Sequence, residues 1–257
     1  MEKICNSCPR AALPKDKTYS ILFIGNSYTY YNDMPTALFE NIARDAGYDV
    51  SVSTVTKGGY TLQQHLDPES KTGAKVAEQL SQKGKYDFVI IQEQSVRPAT
   101  DEAVLFYDAV RELAARIRDI GACPVLYSTW GRETGSADLE THGLTNQSMT
   151  YKLAASYGAI GEELDIPVAY VGLAFYDVYT GQSGIGLYNE DQTHPSYAGS
   201  YLAATTLFCK IFGQSPEGLT FCGELSEQDA DTLRRAAARA VFNTPELPEE
   251  YRTVSAK

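Results

Sequence analysis

The chain predicts an α/β fold in three layers, with helices on both faces of a central parallel sheet. Three observations lead there. Short apolar runs at 21–24, 88–91, 124–127 and 168–171 are hydrophobic on consecutive positions, as strands covered on both faces are. Between them lie segments whose apolar residues recur at three- and four-residue spacing, the signature of helices with one buried face. The resulting β-α alternation implies right-handed crossovers and a sandwich.

Taken in order, residues 1–18 are polar, with Pro9 and Pro14, and read as an irregular lead-in. The run at 21–24 opens the domain. A helix is expected over 35–46, stopped by Gly47, and the more alternating segment 50–55 reads as a strand nearer an edge. The strand at 88–91 precedes a helix over 102–120, stopped by Gly121. The strands at 124–127 and 168–171 flank a helix over 146–164, and another helix follows over 197–212. Ser226 with Asp229 caps a last helix through Ala240. The tail over 243–257 reads as loose. One domain, 19–242, accounts for the rest.

The 257 residues suffice for one sizeable core. A net charge of −11 without a Lys/Arg cluster argues against nucleic-acid phosphates and anionic membrane as partners. No apolar run is long enough for a membrane span, and Met1–Cys5 shows no signal-peptide h-region, so a cytoplasmic location is expected. Five cysteines, odd and sparse, fit reduced thiols. Cys5 and Cys8 form a lone CxxC without a second pair at zinc spacing, and no metal is expected. The oligomeric state is not legible.

Two short segments carry the chemistry. Gly25-Asn26-Ser27 follows the first strand, at the carboxyl end where open α/β sheets place ligands. Asp191-Gln192-Thr193-His194-Pro195 precedes the helix at 197. Each alone also fits a turn. Together they offer a serine, a histidine and an aspartate, enough to activate a hydroxyl nucleophile. Asp191 stands three residues before His194, within reach of its Nδ1 across a turn.

Those segments, with Gly58-Gly59-Tyr60 between them, resemble in order and spacing the blocks of the SGNH (GDSL-like) hydrolase superfamily. The likeness spans roughly Tyr19 to Phe212. It is strongest to a bacterial branch, through Ile24-Gly25-Asn26-Ser27, Ile91-Gln92-Glu93-Gln94-Ser95 and His194-Pro195-Ser196-Tyr197-Ala198-Gly199-Ser200-Tyr201-Leu202. The resemblance implies a flavodoxin-like sandwich with a parallel sheet of about five strands. It implies catalysis by Ser27, His194 and Asp191 without a cofactor. The oxyanion hole it implies comprises the N–H groups of Ser27 and Gly59 and the Gln92 amide, with Gln94 as second choice. Two departures stand out: Asn26 where the family has Asp, and Gln92-Glu93-Gln94-Ser95 where a Gly-x-Asn-Asp block is usual.

Around this site, His65 reads as a surface residue near a helix start. Tyr28 is a candidate pocket wall, and Trp130, Arg132 and His142 are candidates for a loop over the site mouth, all contacting substrate. The expected substrate is a small-molecule short-chain ester, an acetyl ester of a sugar or other small polar alcohol. A lysophospholipase or thioesterase with the same triad, and a binding module without turnover, are the rival readings.

Overall fold

A computed structural model of the chain describes residues 12–252 and 254–256. Five strands, β1 (Thr18–Gly25), β2 (Asp49–Thr56), β3 (Phe88–Ile91), β4 (Cys123–Ser128) and β5 (Val168–Tyr170), form one sheet in the order β2-β1-β3-β4-β5. Every pairing is parallel; Ile21 of β1, for example, stands opposite Val52 of β2 and Phe88 of β3. The helices are α1 (Ser27–Tyr30), α2 (Glu40–Asp45), α3 (Leu62–Leu66), α4 (Lys71–Gln79), α5 (Ala103–Asp119), α6 (Ala137–Thr141), α7 (Asn146–Leu164), α8 (Val171–Thr180), α9 (Tyr197–Phe212), α10 (Glu227–Phe242) and α11 (Glu249–Arg252).

The pleat explains why the strand runs are apolar at every position, since alternate side chains enter opposite cores. Ile21, Phe23, Phe88, Ile90, Val125 and Tyr127 face one core, closed by α8, α9 and α10 and by the segment around Phe39. Leu22, Ile24, Val89, Ile91 and Leu126 face the other, closed by α3, α4, α5 and α7. α10 is capped as expected, with the Ser226 side chain accepting from the Asp229 N–H. No helix among the described residues is long and apolar enough to cross a membrane.

α4 and α8 are helices the sequence reading did not place, with Val171 opening α8 rather than ending a strand, and two expected elements take another form. The helix expected over 35–46 is instead a 3₁₀ turn (Tyr31–Asp33), a π-helical stretch (Met34–Phe39) and then α2. Asn32 and Asp33 adopt left-handed φ of 54° and 49°, which breaks the chain's direction after the Ser27 segment. The tail after Asn243 carries α11, and it packs. Tyr251 meets Tyr151 of α7 edge-on at 5.5 Å, and Arg111 of α5 donates to the buried Ala256 carbonyl. Cys5 and Cys8 lie outside the described residues.

β1 leads to β2 on one side, and the chain then crosses to β3 on the other. The loops after β1 and β3 therefore diverge and open a crevice at their carboxyl ends. Ser27 lies at this crevice.

Candidate active site

The seat of Ser27 is built by amides. Asn26 is extended and caps α1, its Oδ1 accepting from the Tyr28 N–H at 3.1 Å. Its Nδ2 donates to the Tyr60 carbonyl at 3.0 Å and reaches the Glu93 carbonyl at 3.5 Å. An aspartate could accept from Tyr28 but would turn a carboxylate oxygen toward those two carbonyls. An amide therefore fits this seat and a carboxylate does not. Beneath it, Gln92 Oε1 accepts from the Asn26 N–H and the Thr29 hydroxyl, both at 2.9 Å. A Cβ on Gly25 would lie 2.6 Å from Gln92 Oε1 and 2.5 Å from Thr29 Oγ1, so only glycine fits there.

Across the crevice, His194 Nε2 lies 2.8 Å from Ser27 Oγ, and its Nδ1 lies 2.6 Å from Asp191 Oδ2. Asp191 also accepts from the N–H groups of Thr193 and His194. Partial burial raises its carboxyl pKa, but these bonds and the His194 ring outweigh burial and leave it below the ordinary value. An ionised Asp191 can only accept, so Nδ1 carries the proton and Nε2 presents its lone pair to Ser27.

The ring is held on its faces and through its loop. Tyr31 stacks on it with centroids 4.2 Å apart, and Tyr28 meets it edge-on at 5.6 Å. Trp130 Nε1 donates to the Thr193 carbonyl. Asn32 Nδ2 donates to the carbonyls of Pro195 and Ser196 and to Ser200 Oγ, at 2.8–3.2 Å. Asn32 escaped the sequence reading. Its left-handed turn has no strong local signal, although Asn is among the few residues that adopt that conformation readily.

Around the expected oxyanion hole the structure corrects one assignment and leaves another open. Gly59 has φ of 72° in an exposed turn, and neither its N–H nor that of Ser27 is used in a hydrogen bond among the described residues. Gln92 is not available as a donor. It is fully buried, its oxygen carries Asn26 and Thr29, and its nitrogen is turned onto the Glu93 carbonyl. Gln94 lines a cavity beside Thr61, with its Oε1 held by the N–H groups of Val96 and Arg97. The pleat accounts for the difference. Gln92 continues the parity of Phe88 and Ile90 toward α1, whereas Glu93 continues that of Val89 and Ile91 toward α3.

Glu93 and His65 are buried between the end of β1 and the start of α3. The buried Glu93 carboxylate accepts from the Leu62 N–H at 3.2 Å and from the Gln94 N–H at 2.6 Å. Burial pushes its carboxyl up to about 7, against the pull of those N–H groups and of Arg97. His65, expected at the surface, is fully buried and its Nε2 donates to the Gly25 carbonyl at 2.8 Å. Burial holds its pKa down to about 4, so the ring is neutral. Its place was readable: His65 shares a helix face with Leu62.

Three of the four expected substrate contacts are structural. Trp130 is sandwiched between Tyr28 (4.5 Å) and Phe175 (4.1 Å) and is fully buried. Tyr28 is buried next to Ser27, and burial pushes its hydroxyl up to about 12, while Arg132 nearby pulls the other way. Arg132 is also buried, donating to Ser95 Oγ and pairing with Asp138. Only His142, at the end of α6, is exposed.

Comparison with known structures decides the family. A protein from Slackia heliotrinireducens, described as an SGNH hydrolase, is 31% identical to the chain; the match covers 76% of this chain and all of that one, with a TM-score of 0.65. The chain belongs to the SGNH hydrolases. As an SGNH hydrolase it is a serine ester hydrolase, and its five-stranded parallel sheet is the fold of that family. A DUF4886 family protein from Bacteroides uniformis shares the fold at 17% identity and a TM-score of 0.74, covering 91% of this SGNH chain and 98% of its own. An acetylxylan esterase from Geobacillus stearothermophilus does so at 17% identity and a TM-score of 0.55, covering 75% and 94%. No family sequence model and no curated protein matches in sequence.

Proposed function

We propose that the chain removes a short acyl group, acetyl foremost, from a carbohydrate or other small polar alcohol through a Ser27-His194-Asp191 triad. The observation that carries this reading is the continuous relay from Ser27 Oγ to His194 at 2.8 Å and on to Asp191 at 2.6 Å. His194 Nε2 takes the Ser27 proton as Oγ attacks the ester carbonyl, and Asp191 stabilises the imidazolium. The N–H groups of Ser27 and Gly59, with the Gln94 amide, receive the charge that develops on the carbonyl oxygen. His194 then protonates the departing alcohol. Water, deprotonated by the same ring, releases the acid from Ser27 and restores the enzyme.

The short acyl chain is supported by the absence of a long apolar run in the sequence and by the likeness to an acetylxylan esterase. Hydrolysis of p-nitrophenyl acetate should fall by several orders of magnitude in Ser27→Ala and in His194→Ala. Equal rates in all three proteins would remove the triad. A series of p-nitrophenyl esters should favour acetyl; a strong preference for long acyl chains would favour a lysophospholipase or thioesterase instead.

A further inference from the structure

Beside the Gly58-Gly59 turn lies a cavity of about 400 Å³, lined chiefly by Thr61, Gln94, Arg97, Asp101, Glu102 and His142. Its near wall adjoins the site already described: Asn26, next to Ser27, donates to the carbonyls of Tyr60 and Glu93, whose neighbours Thr61 and Gln94 line the cavity. Thr61 caps α3 two residues after Gly59, and Gln94 follows the Glu93 carboxylate that ties β3 to α3. Its far wall comes from elements the chemistry does not use, the start of α5 and the exposed His142 after α6. The volume falls in the lower part of the range that small-molecule sites occupy, roughly 300–1,000 Å³. An acetyl methyl group needs no such space, so on the reading proposed above the cavity is available to the alcohol.

The lining defines the chemistry of that alcohol. Every lining residue except Val96 carries a polar side chain, so a hydroxyl-bearing group finds hydrogen-bond partners there that a fatty chain cannot use. Donors and acceptors alternate. Gln94 commits its oxygen to Val96 and Arg97, and its NH₂ is the group assigned above to the carbonyl oxygen, so it is not counted among the alcohol's partners. Thr61 and Thr100 carry hydroxyls, and Asp101 and Glu102 offer carboxylate oxygens. Arg97 is already paired with Glu102 through Nε at 3.1 Å, whereas Asp101 has no cationic partner among the described residues. The cavity is therefore net negative, in a chain of net charge −11, and repels an anionic ligand.

We propose that this cavity is the alcohol subsite, and that it takes a neutral, hydroxyl-rich alcohol of the size of a single sugar ring while rejecting one that carries a carboxylate. The proposal rests on the esterase reading, and two measurements separate them. The first compares kcat/KM for acetylated glucose, acetylated glucuronate and p-nitrophenyl acetate in the native chain, Asp101→Lys and His142→Ala. The native chain should favour the glucose ester over the glucuronate ester at least tenfold. Asp101→Lys should shrink that preference, and His142→Ala should lower the ratio of glucose-ester to p-nitrophenyl-ester activity at least threefold. A native preference for the glucuronate ester, or changes of equal size on all three esters, would overturn the subsite. The second titrates Ser27→Ala with the two sugar esters by calorimetry. Selective binding of the glucose ester, weakened by Asp101→Lys, supports the subsite even if the native chain turns nothing over, an outcome that would sink only the esterase reading. Absence of binding by either ester would overturn the subsite alone.

Discussion

The two halves of the proposed triad are held very differently. Ser27 stands on a buried floor: Gln92, Asn26, Glu93 and His65 each spend side-chain hydrogen bonds on the backbone within four residues of β1's end or on the turn beside it, and all four are at most 2% exposed. His194 stands on a surface loop, with its side chain 24% exposed and that of Asp191 46% exposed. It is positioned by a stacked tyrosine, one indole N–H and the Asn32 amide. The difference teaches that Ser27 is fixed by the fold, while His194 is fixed by a few contacts that could be removed without unfolding the chain. Substitutions beneath Ser27 should cost stability and activity together. Those around His194 should cost activity with little loss of stability.

The largest expected effect tests the first half. Gln92→Ala strands two buried donors, the Asn26 N–H and the Thr29 hydroxyl, each worth about 1–3 kcal/mol when unsatisfied. Chemical denaturation should show a loss of roughly 2–5 kcal/mol. Full stability with lost turnover would instead return Gln92 to the oxyanion hole.

Next in size is a pH effect at Glu93. Its carboxyl titrates near 7 in the folded chain against an ordinary 4.5, so between those values the native state holds a proton that the unfolded state has lost. The native state then binds more protons, and stability falls as pH rises through that window. Glu93→Gln removes this slope. The stability of the variant relative to the native chain should rise by on the order of 3 kcal/mol from pH 4.5 to 7 and level off above. A flat difference would mean Glu93 is ionised throughout. His65 contributes the opposite slope between about 4 and its ordinary 6.5, being neutral when folded, but it is common to both proteins and cancels.

The smallest stability effect belongs to the second half. Asn32→Gly, which tolerates the left-handed φ of 54°, frees the Pro195 and Ser196 carbonyls and should cost about 1 kcal/mol, yet lower kcat on p-nitrophenyl acetate about tenfold by loosening His194. A stability loss as large as that of Gln92→Ala would erase the contrast between the two halves.

The sheet was legible because its strands are buried on both faces. Ile21 to Ile24 and Phe88 to Ile91 needed no alternation to be recognised, and the edge strand β2 showed itself by having one. Ser27, Asp191 and His194 were legible as a set because three residue types recur at family spacing. What failed was direction. Gln92 and Glu93 were read as a motif rather than as the next two steps of a pleat, so the side-chain donor was assigned to the residue that faces α1. Trp130 and Arg132 were placed at the mouth because their loop follows a strand end. The stacking of Trp130 between Tyr28 and Phe175 depends on residues far apart in sequence, which no local pattern reveals. The break at Asn32 and Asp33 was hidden for the opposite reason, a local conformation inside an otherwise helical pattern.

The central claim is that Ser27 is a nucleophile activated by His194. The most direct measurement is reaction with a fluorophosphonate followed by peptide mass spectrometry on the native chain and on His194→Ala. The account predicts one phosphonyl group on Ser27 in the native chain and labelling slowed by several orders of magnitude in the variant. Label on another residue, or equal labelling of Ser27 without His194, would contradict it.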